Sequence, residues 1–340
     1  MTVTDLHAHM IVLDALTELR ATHPEHTPRH EVRDSGHFLV YPGSPQMGPV
    51  PPAMFDLTAR LADMDAAGVD RQIIAVPPPQ LLYHLEPEVG ADFARVQNDA
   101  AIAVTEQHPN RMHIFATLPL RHPDAAVKEI DRVASSPRVR GVQIGTNVAG
   151  ANLDDPALEP VWRALVEAGL PVWVHPDQRT VAGADRLRSY YLGNLIGNPH
   201  ETTLAIASVI FGGVLDRHPT LRVGWVHGGG FAPYQLGRWD HGWRCRAEAR
   251  AVIGQPPSSY FGRMYFDSLT HDRDSLAFLG QRVGWRNVVL GSDHPFDMAD
   301  SQPVARVRAL DLSESDERAV LAGNAEAFLR PVPTQDQARR

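Results

Sequence analysis

Histidine and aspartate residues close several apolar runs of this 340-residue chain, and their spacing indicates a metal site. His7 and His9 stand two residues apart in the run DLHAH, so in a β-strand both imidazoles would project from one face. Three further apolar runs each close on one residue that can bind a metal: His175, His227 and Asp293. If these ends meet at one rim, the side chains converge, and the sequence predicts a shared divalent ion.

The donor types limit which metal such a site would take. The only cysteine is Cys245, which excludes disulfides, Cys-ligated zinc and iron–sulfur clusters within one chain. Imidazole and carboxylate donors suit zinc, manganese or iron(II), and we expect one divalent ion, with zinc favoured. Three histidines and one aspartate leave room for water, which is typical of catalytic rather than closed structural sites.

Two other charged residues bear on the chemistry. Asp5 precedes His7, where it either supports a histidine ligand by a hydrogen bond or begins the strand. Lys128 is the only lysine among 32 basic residues, and it lies in a polar stretch that predicts a solvated helix. Acid–base chemistry at neutral pH would therefore use imidazole or carboxylate.

Short apolar runs alternate with segments of helical periodicity, which predicts a distorted (β/α)8 barrel of the TIM type. The predicted strands cover residues 3–7, 72–76, 112–117, 139–144, 171–175, 222–227, 263–267 and 287–292. The predicted helices cover residues 57–67, 92–107, 124–134, 157–168, 201–217, 233–250 and 273–283. Barrel active sites lie at the C-terminal ends of the strands, where the histidines and Asp293 would meet. A doubly wound sheet, the competing fold, carries a Gly-rich turn after its first strand, whereas His-Ala-His stands here.

Two regions interrupt the alternation. Residues 21–52 are rich in Pro, Gly and His, with little periodicity, and we expect a small insertion that lies over the C-terminal face as a lid. Residues 178–199 form a second loop after the fifth predicted strand. We therefore predict one domain over residues 1–330, followed by a flexible tail at 331–340.

Charge and hydropathy exclude several partners. The formal net charge of −8 argues against nucleic acid, because a phosphate-binding surface requires a basic excess. The N-terminus has neither the basic nor the apolar part of a signal peptide. Residues 203–215, the longest apolar stretch, are too few to cross a bilayer and predict a buried helix. We expect a soluble cytoplasmic protein that acts on a small molecule, with no membrane partner.

Five segments resemble the amidohydrolase superfamily, in its amidohydrolase family 2 and the branch typified by 2-amino-3-carboxymuconate-6-semialdehyde decarboxylase. They are DLHAH, GVQIGTNVAGANLDD, VWVHPD, ETTLAIASVIFGGVLDRHPTLRVGWVHGGGFAPYQLGR and VVLGSDHPF. The resemblance covers most of the chain. It implies a metal-dependent, non-oxidative decarboxylase (a carbon–carbon lyase) that acts on an unsaturated or aromatic carboxylic acid.

Taken residue by residue, the resemblance assigns a role to each candidate. It implies four metal ligands: His7, His9, His175 and Asp293. His227 becomes the catalytic base that activates metal-bound water, and Asp293 also relays a proton. Arg238 would reach a substrate carboxylate in the neighbouring subunit, which implies a homodimer.

The sequence also departs from the family pattern, which indicates a related but different substrate. Residues 41–50 lack an arginine that binds substrate carboxylate in the named decarboxylase, and Arg29 or Arg33 of the same insertion could replace it. His294 follows Asp293 where tyrosine is common; we assign it, with Phe296, to substrate binding, while a supporting or surface role stays equally open. Residues 142–147 lack the bridging lysine of two-metal barrel hydrolases, which favours a single ion.

Alternatives to the decarboxylase stay open. The same metal site would serve a hydrolase or hydratase of this superfamily, acting on a small cyclic or unsaturated acid. A metal-free binding or scaffold protein is the third possibility.

Residues 228–230 are glycines, which either let the backbone approach substrate or form a tight turn. Aromatic residues near the predicted rim could sandwich a planar acid, although packing is the stronger expectation; they are Trp173, Trp225, Trp239, Trp243 and Phe296.

Overall fold

Eight parallel strands form the centre of the computed structural model, which describes residues 1–43 and 46–330. The strands are β1 (Thr4–His9), β2 (Arg29–Arg33), β3 (Gly36–Val40), β4 (Met47–Val50), β5 (Arg71–Ala75), β6 (Met112–Thr117), β7 (Val139–Gly145), β8 (Asn147–Val148), β9 (Ala151–Asn152), β10 (Val172–His175), β11 (Val223–Trp225), β12 (Met264–Asp267) and β13 (Val288–Val289). The central sheet has the order β1-β5-β6-β7-β10-β11-β12-β13. Each of the eight predicted strands overlaps one of these.

Helices connect the strands and cover the outside of the sheet. They are α1 (Leu13–Thr22), α2 (Leu57–Ala67), α3 (Pro87–Glu106), α4 (Pro123–Val133), α5 (Glu159–Glu167), α6 (Asn198–Phe211), α7 (Val214–Arg217), α8 (Ala232–Cys245), α9 (Ser258–Phe261), α10 (Arg273–Val283), α11 (Pro303–Arg308), α12 (Glu314–Arg318) and α13 (Asn324–Leu329). The long apolar stretch at 203–215 lies mainly in α6, which is largely buried. Among residues 1–43 and 46–330, no helix has the length and apolar character needed to cross a bilayer.

Backbone hydrogen bonds between the first and last parts of the sheet close it into a barrel. Leu6 N donates to Leu290 O at 2.9 Å, and Asp293 N donates to His7 O at 2.7 Å. The predicted (β/α)8 barrel is therefore confirmed. The closing bonds place Asp293 directly beside His7, so closure of the fold also assembles part of the site.

The interior of the barrel is packed with large side chains rather than open. Trp173 lies between Phe115 and Phe328, with ring centroids 5.9 and 5.7 Å away, respectively. Phe328 belongs to α13, and its carbonyl accepts a hydrogen bond from Arg222 just before β11. Helix α13 thus closes the N-terminal end of the barrel, which leaves the opposite rim as the open one.

The segment between β1 and β5 has regular structure that its composition does not predict. After α1, strands β2, β3 and β4 pair as an antiparallel sheet. Its inner residues, including Leu39 and Val50, pack against Ile11, Leu16 and Met54. The strands have four or five residues each and mostly polar outer faces, so they give little periodicity. The predicted flexible tail, residues 331–340, lies outside the described residues.

Aspartate and glycine residues explain why two helices have the predicted bounds. Asp56 accepts a hydrogen bond from Ala59 N at 2.8 Å at the start of α2, and Gly68 ends that helix in the left-handed conformation. Asp272 accepts from Ser275 N at 2.8 Å at the start of α10. These side chains satisfy the amide groups that a helix leaves unpaired in its first turn.

A close approach between the loop before α8 and the first turn of α6 gives a testable expectation for stability. Gly230 has φ of 62°, and a Cβ atom there would lie 2.2 Å from the carbonyl oxygen of Pro199. We expect Gly230→Ala to lower the free energy of unfolding by about 3 kcal/mol or more, since strain and overlap add. Gly242→Ala in α8 is the matched control, because nothing lies within 4 Å of its added Cβ.

Urea unfolding followed by circular dichroism measures both variants. The control should be as stable as the parent or gain about 1 kcal/mol from helix propensity. Equal midpoints for Gly230→Ala and the parent would show that the rim tolerates a side chain there.

Candidate metal centre and its cavity

Four buried side chains meet at the C-terminal rim of the barrel. Donor atoms of His7, His9, His175 and Asp293 all lie within 4.8 Å of one another. Oδ1 of Asp293 lies 3.1 Å from Nε2 of His9, 3.2 Å from Nε2 of His7 and 3.9 Å from Nε2 of His175. The structure therefore brings together the four residues that the sequence nominated as ligands.

The other ring nitrogen of each histidine is already engaged. Nδ1 of His7 lies 2.7 Å from Oδ2 of Asp267, and Nδ1 of His175 lies 2.7 Å from the carbonyl oxygen of Pro176. Nδ1 of His9 faces the carbonyl of Val76 at 3.3 Å. Because these partners are acceptors, each imidazole carries a proton on Nδ1 and turns Nε2 toward the others, where it can bind a cation.

The four donor atoms fit a divalent ion. Nε2 of the three histidines and Oδ1 of Asp293 are buried without a hydrogen-bond partner. Nitrogen and oxygen atoms buried in this way are costly unless a proton or a metal cation lies between them. Donors bound to one zinc-sized ion at roughly 2.0–2.2 Å lie roughly 3.0–3.5 Å apart, close to the shorter separations observed here.

The electrostatics of the cluster favour a positive charge at its centre. Burial lowers the pKa of His9 and takes the pKa of His175 well below its usual value. Burial acts in the same direction on His7, but the carboxylates of Asp293 and Asp267 outweigh it and raise the pKa of His7 to about 10. A field that stabilises a proton so strongly also stabilises a divalent cation.

Two carboxylates behind the cluster hold it in place. Asp267, which ends β12, holds the ring of His7 and also accepts from Gly228 N at 2.8 Å. Sequence reasoning missed it, although it closes an apolar strand just as His175 does. Asp5 does not contact the ring of His7: its Oδ1 accepts from His7 N at 3.0 Å and from Ser292 N at 3.1 Å. It therefore joins β1 to the segment that carries Asp293.

His227 stands next to the cluster rather than within it. Its Nε2 lies 3.8 Å from Oδ2 of Asp293, the oxygen more distant from the other three histidines, and its Nδ1 has no hydrogen-bond partner. His227 and Asp293 both have positive φ, 53° and 62°. Non-glycine residues rarely adopt this conformation, which costs about 1–3 kcal/mol and is found at functional sites. Here it lets each side chain reach the open rim.

Two neighbouring cavities lie over the cluster and share some of their bordering residues. The larger has a volume of about 660 Å³ and is bordered by His227; the smaller, of about 290 Å³, is bordered by His175 and Phe296. Asp293 lines both, together with Asn194, Asn198 and Met298. The ring of Phe296 lies 5.1 Å from that of His9. A small molecule at the Asp293 end of either cavity would therefore contact the metal-binding residues.

Two residues assigned to substrate binding lie elsewhere. Nε2 of His294 is 2.9 Å from Oδ2 of Asp63, and its Nδ1 faces the buried guanidinium of Arg60 at 3.3 Å. His294 lines neither cavity and contacts α2 instead, and its assignment to substrate binding stays a prediction. Arg238 is exposed on α8 and also lies outside both cavities.

The two arginines offered as replacements also point away from the site. Arg33 pairs with Glu31 at 2.7 Å, and Arg29 approaches the same carboxylate at 3.3 Å, on the outer face of the inserted sheet. Among the described residues, neither lines a cavity over the cluster. The structure thus gives no support to either as a carboxylate-binding residue.

Packing explains the tryptophans and most of the glycine run. Trp173 and Trp225 are buried in the core, and Trp239 and Trp243 pack beside it, so only Phe296 of the five aromatic residues borders a cavity. A Cβ on Gly229 would lie 2.7 Å from the ring of Phe266. The glycines therefore form a tight turn between β11 and α8, and Gly228 and Gly230 also border the larger cavity, so their backbone is open to a ligand as well.

Comparison with known proteins places the chain among metal-dependent enzymes. A family model described as Amidohydrolase matches residues 4–330. The chain is 36% identical over 283 residues to 2-amino-3-carboxymuconate-6-semialdehyde decarboxylase of Dictyostelium discoideum, covering 83% of this chain and 78% of that protein.

Two solved structures are similar over nearly the whole chain. The 5-carboxyvanillate decarboxylase LigW of Sphingomonas paucimobilis has a TM-score of 0.82 and 26% identity, covering 97% of this chain and 99% of LigW. A 5-carboxyvanillate decarboxylase of Novosphingobium aromaticivorans, complexed with manganese, has a TM-score of 0.80 and 22% identity, and the match covers 96% of each chain. The second likeness concerns the fold alone.

The contact between Asp267 and His7 generates a prediction about metal affinity. Asp267→Asn removes the negative charge and leaves one acceptor oxygen, so either Nδ1 of His7 or the amides of Gly228 and Leu269 lose their acceptor. Loss of such a supporting contact typically costs about 10–100-fold in metal affinity. Competition with a chelator for Mn²⁺ measures the change, and Asp185→Asn on the surface is the control. Unchanged affinity in Asp267→Asn would mean that the contact does not orient the ligand.

Proposed function

This chain belongs to the amidohydrolase family, and on that premise we propose that it is a metal-dependent, non-oxidative decarboxylase of an aromatic or unsaturated carboxylic acid. The observation that carries the proposal is the set of four unpartnered donor atoms with His227 beside them. Relatives named as decarboxylases, one of them matching 83% of the chain, favour this reaction over hydrolysis or hydration. A metal-free binding or scaffold protein would bear the free-energy cost of burying these four donor atoms with nothing to offset it.

The chemistry divides between the metal and the side chains around it. When bound by His7, His9, His175 and Asp293, a divalent ion would polarise an oxygen of the acid. Decarboxylation breaks the bond to the carboxyl carbon, leaves its electron pair on the remaining carbon and requires a proton there. His227 borders the larger cavity and is placed to carry that proton. Asp293 directs Oδ1 to the ligand histidines and Oδ2 toward His227, so it can also pass a proton.

The remaining assignments extend this proposal. We treat residues 1–330 as one catalytic domain, with 21–52 as a lid; Met47, Val50 and Pro51 border the smaller cavity, which supports that placement. Phe296 would contact the substrate at the same cavity.

Zinc is our preferred ion, with manganese and iron(II) as alternatives. Reconstitution of metal-stripped protein with each ion, followed by turnover, distinguishes them. The predicted cytoplasmic location stays a prediction.

A homodimer would account for the exposed position of Arg238. The cavities over the cluster have no guanidinium among the described residues of this chain, so a carboxylate partner must come from the metal or from a second subunit. Arginine binds carboxylates through two parallel hydrogen bonds. We therefore keep the assignment in which Arg238 acts across the subunit interface.

Release of carbon dioxide tests the reaction directly. Metal-loaded protein is incubated in deuterated water with hydroxybenzoates and muconate-type acids labelled with ¹³C in the carboxyl group. We expect labelled carbon dioxide and one deuterium on the product carbon, and loss of both after treatment with a chelator. A product that keeps its carboxyl group and gains the mass of water would replace the decarboxylase with a hydrolase or hydratase.

The position of His227 predicts a separation of metal binding from turnover. His227→Asn should keep the metal, because its ring lies outside the ligand set, while kcat falls about 10²–10⁴-fold through loss of proton transfer. Metal content is measured by elemental analysis and turnover by carbon dioxide release. Asp293→Ala serves for comparison and should lose both. Normal turnover in His227→Asn would remove it from the mechanism.

Complementation between inactive variants tests the role of Arg238. Arg238→Ala and His227→Asn subunits are mixed in equal amounts and allowed to exchange. If each site takes Arg238 from its partner, half of the dimers are mixed and each has one intact site, so about a quarter of the parent activity returns. Activity no higher than that of the separate variants would place Arg238 outside the partner's site.

A further inference from the structure

A fully buried arginine lies behind the metal-binding residues. Nη2 of Arg60, on α2, donates to the carbonyl oxygens of His9 and Ala53, the latter at 2.9 Å. Its Nη1 donates to Oε1 of Gln72 at 2.8 Å and faces Nδ1 of His294 at 3.3 Å. These partners belong to four segments that are distant in the chain, so one side chain joins all four at a single point.

Two of these partners belong to segments that carry metal ligands. His9 is itself a ligand, and its backbone N donates to the carbonyl oxygen of His294 at 2.7 Å. His294 directly follows the ligand Asp293 in the chain. Nε2 of His294 donates to Asp63 at 2.9 Å, which leaves Nδ1 to accept from Arg60. The guanidinium therefore fixes the end of β1 and the loop after β13 relative to each other.

A chain of buried hydrogen bonds extends the contact from Gln72 to the other ligand of β1. Nε2 of Gln72 donates to Oδ2 of Asp5 at 3.0 Å. Oδ1 of Asp5 accepts from His7 N at 3.0 Å and from Ser292 N at 3.1 Å. Gln72, Asp5 and Ser292 are all buried, so these bonds are not exchanged for bonds to bulk water. The network thus reaches the backbone of His7 and the residue before Asp293.

The remaining partner anchors the guanidinium outside the metal centre. Ala53 lies in the turn Pro52–Met54, which follows β4 and forms the base of the inserted sheet. Because Nη2 of Arg60 donates to Ala53 and to His9, the base of the inserted sheet and the ligand strand share one donor atom. The ligand strand is therefore held against a part of the fold that does not bind the metal.

The charge of Arg60 gives a metal centre no advantage. Burial lowers the pKa of Arg60 to about 10, although the carboxylates of Asp5 and Asp63 oppose this, so the guanidinium stays charged at neutral pH. Burying a cation is costly, and a buried cation repels a second one nearby. A planar guanidinium, however, presents its N–H groups in a fixed fork and holds several acceptors in set directions, which an ammonium does not. Geometry, and not charge, accounts for arginine at this position.

We infer that Arg60 is a positioning residue of the metal centre: its guanidinium holds the ligand segments at the end of β1 and after β13 against the base of the inserted sheet, and the affinity for the divalent ion depends on that geometry. The inference rests on the proposed function for the presence of a metal. It goes beyond that proposal because it assigns the assembly of the ligand set to a residue that binds neither metal nor substrate.

Two substitutions at position 60 separate geometry from charge. Arg60→Lys keeps the positive charge and loses the fork, whereas Arg60→Gln loses both. We expect both to raise the Kd for Mn²⁺ by about tenfold or more, the lower end of the loss typical of contacts that support a ligand. Charge alone would act in the opposite direction, since removal of a nearby cation in Arg60→Gln would tighten binding. Competition with a fluorescent chelator measures Kd, and unchanged or tighter binding in either variant would overturn the inference.

Arg222→Lys is the matched control for the loss of an arginine that binds carbonyl groups. Arg222 is partly buried at the opposite end of the barrel, where it donates to the carbonyl oxygen of Phe328 at 2.8 Å and to that of Gly169. We expect this variant to lower Tm, as Arg60→Lys does, and to keep the parent's Kd for Mn²⁺. An equal loss of metal affinity in the two variants would reflect general destabilisation and overturn the inference.

The visible spectrum of the cobalt-substituted protein provides a readout that stability alone does not move. The absorption bands of Co²⁺ depend on how its ligands are arranged. At saturating Co²⁺, folded Arg60→Lys should show shifted bands, and Arg222→Lys should match the parent. A spectrum of Arg60→Lys identical to that of the parent would mean that the ligand set is arranged without help from Arg60.

A substitution at the surface tests the network if the variants at position 60 do not fold. The side chain of Asp63 is 55% exposed, and Asp63→Ala removes the partner that orients His294 toward Arg60. We expect weaker Mn²⁺ binding than in the parent, and unchanged binding would overturn the inference. A parent protein that binds no divalent ion would overturn the metal centre and the proposed function as well, whereas parental affinity in Arg60→Lys would overturn this inference alone.

Discussion

The structure depends on one costly arrangement: lone pairs of three imidazoles and one carboxylate are buried facing one another. Each imidazole has its Nδ1 held by a carboxylate or a carbonyl, so none can turn away to find a proton donor. Such a cluster is stable only with a positive charge at its centre. The strands of the barrel keep the donors within 4.8 Å of one another, and a bound cation would supply the missing partner.

Three aspartates around this cluster have different tasks because their surroundings differ. Asp5 is fully buried, and its carboxylate accepts hydrogen bonds from the backbone amide of His7 and from the side chains of Gln72 and Ser292. These bonds join β1 to the segment after β13, and they leave the carboxylate no part in binding a metal or substrate. Asp267 holds one ligand ring and the turn after β11. Asp293 alone faces the cavities, with one oxygen toward the ligand histidines and the other toward His227. Residue type by itself does not distinguish these roles.

The relatives named as decarboxylases and the geometry of the rim agree on a decarboxylase, and two cavities lie over the metal-binding residues. The metal-binding residues lie at the floor, where the reacting carboxylate must be held. The walls above them are apolar on one side and acidic at the far end, with an unpaired amide oxygen between. The metal-binding residues come from the ends of the strands, whereas most residues that border the larger cavity come from α6, α8, α10 and the loops beside them.

The sequence by itself determined the barrel and the histidines and aspartate at its rim, and the resemblance to the amidohydrolase family separated the four ligands from His227. Apolar runs of strand length marked all eight barrel strands, and parallel strands in a closed barrel bring residues at their C-terminal ends to one rim, which is why residues as distant as His7 and Asp293 could be paired. The inserted sheet, Asp267 as the partner of His7 and the position of His294 were decided only by tertiary structure. Short strands with polar outer faces carry little periodicity, and the direction of one side chain depends on neighbours from other elements. Asp63 and Arg60 of α2 hold His294 away from the cavity, and nothing in the local sequence of His294 specifies that contact.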